Sequence, residues 1–169
     1  MHQKTVCELR DVTFVYPGGA ADASGCACPA LRNVTLSIYE GEWVALLGSN
    51  GSGKSTLAKH LNALLVPSQG DCLVYGLSTG EEKNVFPIRS TVAMVFQNYA
   101  LYPHMTIYKN MAFSLLGKMS KEEIDIRVRE AAHKLEIETL LDKKPGQLSG
   151  GQCQRVAVGR AIVRKPDVF

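Results

Sequence analysis

The stretch Gly48-Ser49-Asn50-Gly51-Ser52-Gly53-Lys54-Ser55 constrains this chain more than any other, because it satisfies G-x-x-x-x-G-K-[ST] in full. Its glycines let the loop curl until backbone N–H groups point inward at a phosphate. Just before it, Trp43-Val-Ala-Leu-Leu47 is a continuous apolar run, which reads as a strand buried on both faces in the middle of a parallel sheet. After Thr56, residues Leu57, Leu61, Leu64 and Leu65 recur at helical spacing. Strand, glycine loop and helix in succession are what the phosphate chemistry demands, since the helix then aims its positive N-terminus at the same point. Lys54 is expected to reach the β- and γ-phosphates of ATP, and the Ser55 hydroxyl to ligate Mg²⁺. The competing reading is a plain glycine-rich turn.

The rest of the chain fits an α/β architecture. Residues 6–16 and 34–39 alternate apolar and polar with several β-branched members and predict strands, as do 72–75 and the apolar run 92–96. Beyond Gln97 the pattern turns helical. Ser120 with Glu123 forms a capping box, and Ile124, Val128, Ala131, Ala132 and Leu135 lay an apolar stripe along the helix it opens. A second box, Ser149 with Gln152, opens a helix carrying Val156, Val158 and Ile162 that ends near Lys165-Pro166. A chain of 169 residues suffices for one domain with a real core, with room for a small lobe.

Charge and cysteine usage exclude several functions. Nineteen basic and 16 acidic residues are scattered without the Lys/Arg run of a nucleic-acid tail, so no nucleic-acid partner is expected. No apolar run approaches the roughly 18 residues that span a bilayer, and the start carries no signal-like stretch, so any membrane link goes through a partner. Five cysteines at irregular spacing fit no disulfide framework and point to a reduced compartment. Cys26 and Cys28 lack a second Cys/His pair to finish a tetrahedral metal site and read as ordinary loop cysteines.

A glycine loop of this kind serves kinases, GTPases, helicases and transport ATPases alike. Leu148-Ser149-Gly150-Gly151-Gln152 narrows the choice: at a helix N-terminus these residues offer exposed N–H groups, a serine hydroxyl and a helix dipole, all suited to a γ-phosphate. A helix cap after a loop is the bland alternative. With both motifs in order, the sequence resembles the ABC ATPases over essentially its whole length. The resemblance implies a P-loop core of parallel strands, an antiparallel β lobe and a helical subdomain. It implies a second ABC ATPase subunit, identical or related, so that Ser149 and Gly151 act in trans on ATP held by the other subunit's loop. Gln97 matches the family's glutamine that contacts Mg²⁺ and senses the membrane partner, and Tyr16 matches the aromatic that stacks on adenine; read alone, these are a surface polar residue and a core aromatic.

The resemblance also divides the chain. Residues 1–98 form a nucleotide-binding core, 99–152 a helical subdomain ending in the signature, and 153–169 the signature helix and the start of the next strand. Up to Asn98, including His60-Leu-Asn-Ala-Leu64 and Val85-Phe-Pro-Ile-Arg89, it looks like the ATPases of energy-coupling-factor importers; from Tyr99 onward it looks like those of sugar and sugar-phosphate importers. The change near Asn98 reads either as a join of two subfamilies or as a natural intermediate lineage. In the family the strand after the signature helix ends in a Mg²⁺-binding Asp followed by a catalytic Glu, whereas here Val168 and Phe169 stand where that strand begins. This stretch alone is therefore expected to hydrolyse ATP hardly at all. The expected role is the ATP-binding subunit of an importer, peripheral on the cytoplasmic side of the membrane. Its permease would insert a coupling helix beside Gln97, against Tyr99, Leu101, Tyr102, His104 and Met105. A soluble ABC protein acting on nucleic acid or ribosomes is the rival, and a P-loop kinase a third reading that the signature disfavours.

Overall fold

The computed structural model describes residues 3–18 and 28–169, so Cys26 of the C-x-C pair lies outside the described residues. The chain divides into two compact units, Met1–Val92 and Ala93–Phe169.

In the first unit a sheet of four antiparallel strands runs in the order β2-β1-β3-β4, with β1 Thr5–Phe14, β2 Leu31–Tyr39, β3 Gln69–Val74 and β4 Leu77–Ser78. The first three fall on the alternating stretches read from sequence. Strict alternation would put Leu9 and Val12 on opposite faces, yet both are fully buried. The extra residue is absorbed at Asp11, whose φ of 49° accompanies a register shift between Leu9 and Val12, so Val12 returns to the core side. Asp11 is held there by Thr35, whose hydroxyl donates to the carboxylate at 3.1 Å and accepts from the Asp11 N–H at 3.0 Å.

Helix α1 spans Lys54–Leu61 and α2 Glu82–Thr91. Leu57 of α1 joins Leu9, Val12, Phe14, Leu31 and Cys72 in one buried cluster, so the sheet's apolar face fixes the helix behind the glycine loop. Burying one such leucine contributes about 1.5–3 kcal/mol. The strand expected at 43–47 takes no ladder partner among the described residues, and Trp43 and Leu47 are 99% and 92% exposed. A strand of a parallel sheet is stabilised by neighbours on both edges. The expected strand at 92–96 is likewise confined to its first residues: the Ala93 N–H donates to the Val168 carbonyl at 2.8 Å, and the backbone beyond runs without a ladder. That bond joins two of the apolar runs seen in the sequence.

The second unit is helical. Helices α3 (Ile107–Ala112), α4 (Lys121–Lys134) and α5 (Gly150–Ile162) are linked by short 3₁₀ turns. Both predicted capping boxes form, Ser120 with Glu123 and Ser149 with Gln152. The α4 stripe of Ile124, Val128, Ala131 and Ala132 packs with Ile107 and Met111 of α3 and Val156 of α5 into one apolar core. Asn110, itself 1% exposed, is the polar exception. Its amide nitrogen donates to the carbonyls of Tyr102, Met105 and Thr106, and its oxygen accepts from the Tyr102 N–H, which replaces the hydrogen bonds burial removes.

Candidate nucleotide site

The loop Gly48–Gly53 leads into α1 through Gly53, the N-cap residue, at φ 89° and ψ 0°. No side chain caps this helix, so its first N–H groups and the positive end of its dipole are open to an anion. Lys54 turns back over the loop: its ammonium donates to the carbonyls of Gly48 at 2.9 Å and Ser49 at 2.7 Å, and reaches Ser52 Oγ at 3.4 Å. A cation is thus fixed inside the curl by neutral acceptors, with no carboxylate among these partners to cancel its charge. Ser49, Asn50, Gly51, Ser52 and Ser55 are all exposed.

Thr56, one residue on, is buried. Its hydroxyl lies 3.0 Å from the Tyr16 hydroxyl, so the end of β1 and the first turn of α1 meet through these two side chains. Phe14 stacks edge-on against Tyr16 and, separately, against His60, with ring centroids 4.8 Å apart in each case. His60 is fully buried, and its Nδ1 sits 2.7 Å from the Thr56 carbonyl, which marks that nitrogen as the protonated one. Nε2 has no partner, and desolvation lowers the histidine's pKa below its ordinary value. Tyr16, Thr56 and the loop therefore belong to one surface of the first unit. The bland reading of Tyr16 is half true, since it packs on Phe14 yet remains 38% exposed.

Gln97 and the signature residues stand in the second unit. Gln97 is exposed, as are Ser149, Gly150 and Gly151, while Leu148 packs against the helical core and Gln152 is half-buried. Ser149 is the N-cap of α5, so the bland reading of the signature as a cap also describes real geometry. Its Oγ accepts from the Gln152 N–H at 3.3 Å, while Gln152 Oε1 accepts from the Ser149 N–H at 2.9 Å. Because Oγ acts only as an acceptor there, its own proton is available to an incoming oxygen. A side chain at Gly151 would meet nothing within 4 Å, so the helix opens onto free space. Sequence reading passed over Asn110 and Arg160, which fix the backbone after Gln97. A polar residue at 110, on the same face as Ile107 and Met111, was the available signal.

An antiparallel lobe packed on a helix that follows a phosphate-type glycine loop, with a separate helical unit whose last helix is opened by Ser-Gly-Gly-Gln, defines a P-loop nucleotide-binding protein of the cassette type. A family model described as ABC transporter matches residues 31–169, and the chain belongs to that family. It is 48% identical over 162 residues to an sn-glycerol-3-phosphate import ATP-binding protein of Rhodopseudomonas palustris, covering 95% of this chain and 42% of the relative. A trehalose/maltose import ATP-binding protein of Thermococcus litoralis is 51% identical over 144 residues, covering 83% and 39%. The chain thus spans about two-fifths of the length of these relatives. Among solved structures, a dimeric ATP-binding cassette in a post-hydrolysis state with ADP and Pi superposes with a TM-score of 0.84 at 36% identity, over 95% of this chain and 70% of that one. The cbiO1 protein of Clostridium perfringens, part of an ABC transporter complex, superposes with a TM-score of 0.79 at 30% identity, over 97% and 63%.

Proposed function

We propose that this chain is the nucleotide-binding part of an importer's ATP-binding subunit, coupling ATP binding and hydrolysis to solute movement through a membrane partner. The observation that carries the reading is the Lys54 ammonium drawn into the Gly48–Ser52 curl at the uncapped N-terminus of α1. Phosphate oxygens would take over its bonds to the loop carbonyls and meet the free N–H groups of Lys54, Ser55 and Thr56. Tyr16 would exchange its bond to Thr56 for stacking on adenine. The exposed Ser55 hydroxyl and the Gln97 amide oxygen are hard donors of the kind Mg²⁺ prefers. When bound, that ion would neutralise charge between the β- and γ-phosphates.

Leu148, Ser149, Gly150, Gly151 and Gln152 are proposed to close over ATP held by a second ABC subunit. The open face at Gly151, the spare Ser149 proton and the dimeric state of the resembled cassette support this. The division at 98 then separates the loop from a helical subdomain, 99–152, that carries the partner-facing segment and ends in the signature, with 153–169 as the rest of the signature helix and the start of the next strand. Permease subunits would dock a coupling helix against Tyr99, Leu101, Tyr102, His104 and Met105, placing the protein on the cytoplasmic face. Met105 already lines an apolar groove of about 390 Å³ with Tyr108, Phe113 and Leu116. Among the described residues no helix is long and apolar enough to cross a membrane itself. The resemblance assigns a general base to no residue of this stretch, so turnover by the stretch alone should sit near background.

Calorimetry with a non-hydrolysable ATP analogue tests the reading. Lys54→Ala should abolish binding while the cooperative melt survives; unchanged affinity in a folded variant would refute it. Phosphate release above background from the same parent sample would overturn the low-turnover expectation.

A further inference from the structure

Tyr99 and Ala100 are consecutive non-glycine residues at positive φ, 60° and 46°. Such backbone costs on the order of 1 kcal/mol or more per residue and persists only where surrounding groups impose it. Here the imposing groups come from helices. From α5, the Arg160 guanidinium donates through Nη1 to the Ala100 carbonyl. The same group lies over the Tyr102 ring, 5.1 Å from its centroid. Tyr102 in turn packs on Phe113 at 4.8 Å, and Asn110 of α3 holds both its N–H and its carbonyl. At the other end of α5 the Tyr99 hydroxyl approaches Gly150, 3.7 Å from where a Cβ would stand.

We propose that Arg160 is a positioning residue that locks the Tyr99–Tyr102 segment to the signature helix, so that the backbone following Gln97 moves with α5 as one body. Resting on the functional reading above, this gives the partner-facing segment a mechanical link to the signature: a permease that displaces Tyr99 or Tyr102 displaces α5. Arginine suits the task because one planar group serves both contacts, an in-plane hydrogen bond and a stacked ring. A lysine keeps the charge but offers no plane to stack.

Hydrogen exchange of the isolated chain tests the lock without any partner. R160K is expected to speed exchange of the Ala100 and Tyr102 amides about tenfold, as R160A does, while amides within α4 change less than twofold. Parental exchange at Ala100 and Tyr102 in R160A would overturn the proposal. In the full-length subunit with its permease, R160K should lower permease-stimulated kcat about tenfold at unchanged KM for ATP. Full stimulation despite a loosened segment would overturn the mechanical link. Failure of the parent to bind ATP analogue would strike the functional reading alone, because the exchange result stands without nucleotide.

Discussion

Gly53→Ala is the sharpest test of how the fold builds the loop. Gly53 sits at φ 89°, where an alanine costs about 1–2 kcal/mol. Its Cβ would also stand 2.6 Å from the Ala30 carbonyl oxygen and 3.0 Å from Leu31 Cδ2. Ala30 cannot simply withdraw, because its N–H donates to the Phe14 carbonyl at 2.8 Å and Leu31 is a core residue. Overpacking of this kind costs about 1–3 kcal/mol. The sum, about 2–5 kcal/mol, can be relieved partly by moving the loop, and movement worth about 1.4–2.8 kcal/mol would weaken nucleotide binding about 10- to 100-fold. Gly70→Ala is the control. At φ 79° its Cβ would lie 2.4 Å from the carbonyl oxygens of Arg10 and Asp11, a clash at least as severe but at the β1 bulge. Both variants should therefore shift the urea midpoint down, whereas calorimetry on the folded fraction should show lost affinity for Gly53→Ala alone. Parental affinity in a Gly53→Ala variant as destabilised as Gly70→Ala would falsify the claim that this cap shapes the phosphate site.

Ser149 separates capping from phosphate recognition: Ser149→Asp should preserve the α5 cap, and hence the melt, yet abolish nucleotide-induced dimerisation by placing a carboxylate where a γ-phosphate would come. Light scattering that shows parental dimers would rule out a phosphate-facing Ser149. Burial pushes the Cys7 and Cys72 thiols up to about 11 and about 12, so alkylation at pH 8 followed by peptide mapping should label exposed Cys28 and spare both until the chain unfolds. Because these pKa values are raised in the folded state, their contribution to stability is full below pH 9 and declines as pH climbs toward 11, visible as a falling melting temperature. Native-state labelling of Cys7 at the Cys28 rate would contradict the buried sheet face.

What was legible in the sequence was local. The β1 stretch shows its alternation, the Ser120 and Ser149 boxes state where two helices begin, and α4 carries its stripe openly. The bulge at Asp11 was not legible, because the cue that Leu9 and Val12 share a face is the odd spacing itself, which a simple period of two reads as noise. Helix α2 was missed for a different reason. Pro87 lies inside it and it buries only Asn84 and Ile88, so neither propensity nor stripe announces a helix. The run at 43–47 shows the limit from the other side: apolar composition announces a central strand, but pairing is a property of its neighbours, and no ladder forms there among the described residues.

The candidate site was more legible than the fold around it, and the reason is chemical. Binding a phosphate needs N–H groups, a cation and a hydroxyl within a few ångströms of one another, and a tight loop can supply all three from eight consecutive residues. Recognition of the base needs reach instead, so Tyr16 was singled out only through the resemblance, and the structure adds that its hydroxyl lies 3.0 Å from Thr56, beside the loop. Arg160 was quieter still, since an arginine at the end of an amphipathic helix ordinarily meets solvent or the helix's own last carbonyls. Its contacts lie far back in the chain, at Ala100, 60 positions away, and at the Tyr102 ring. A residue whose work is to hold a distant strained segment leaves no motif of its own, because what defines it is the pair of groups it joins.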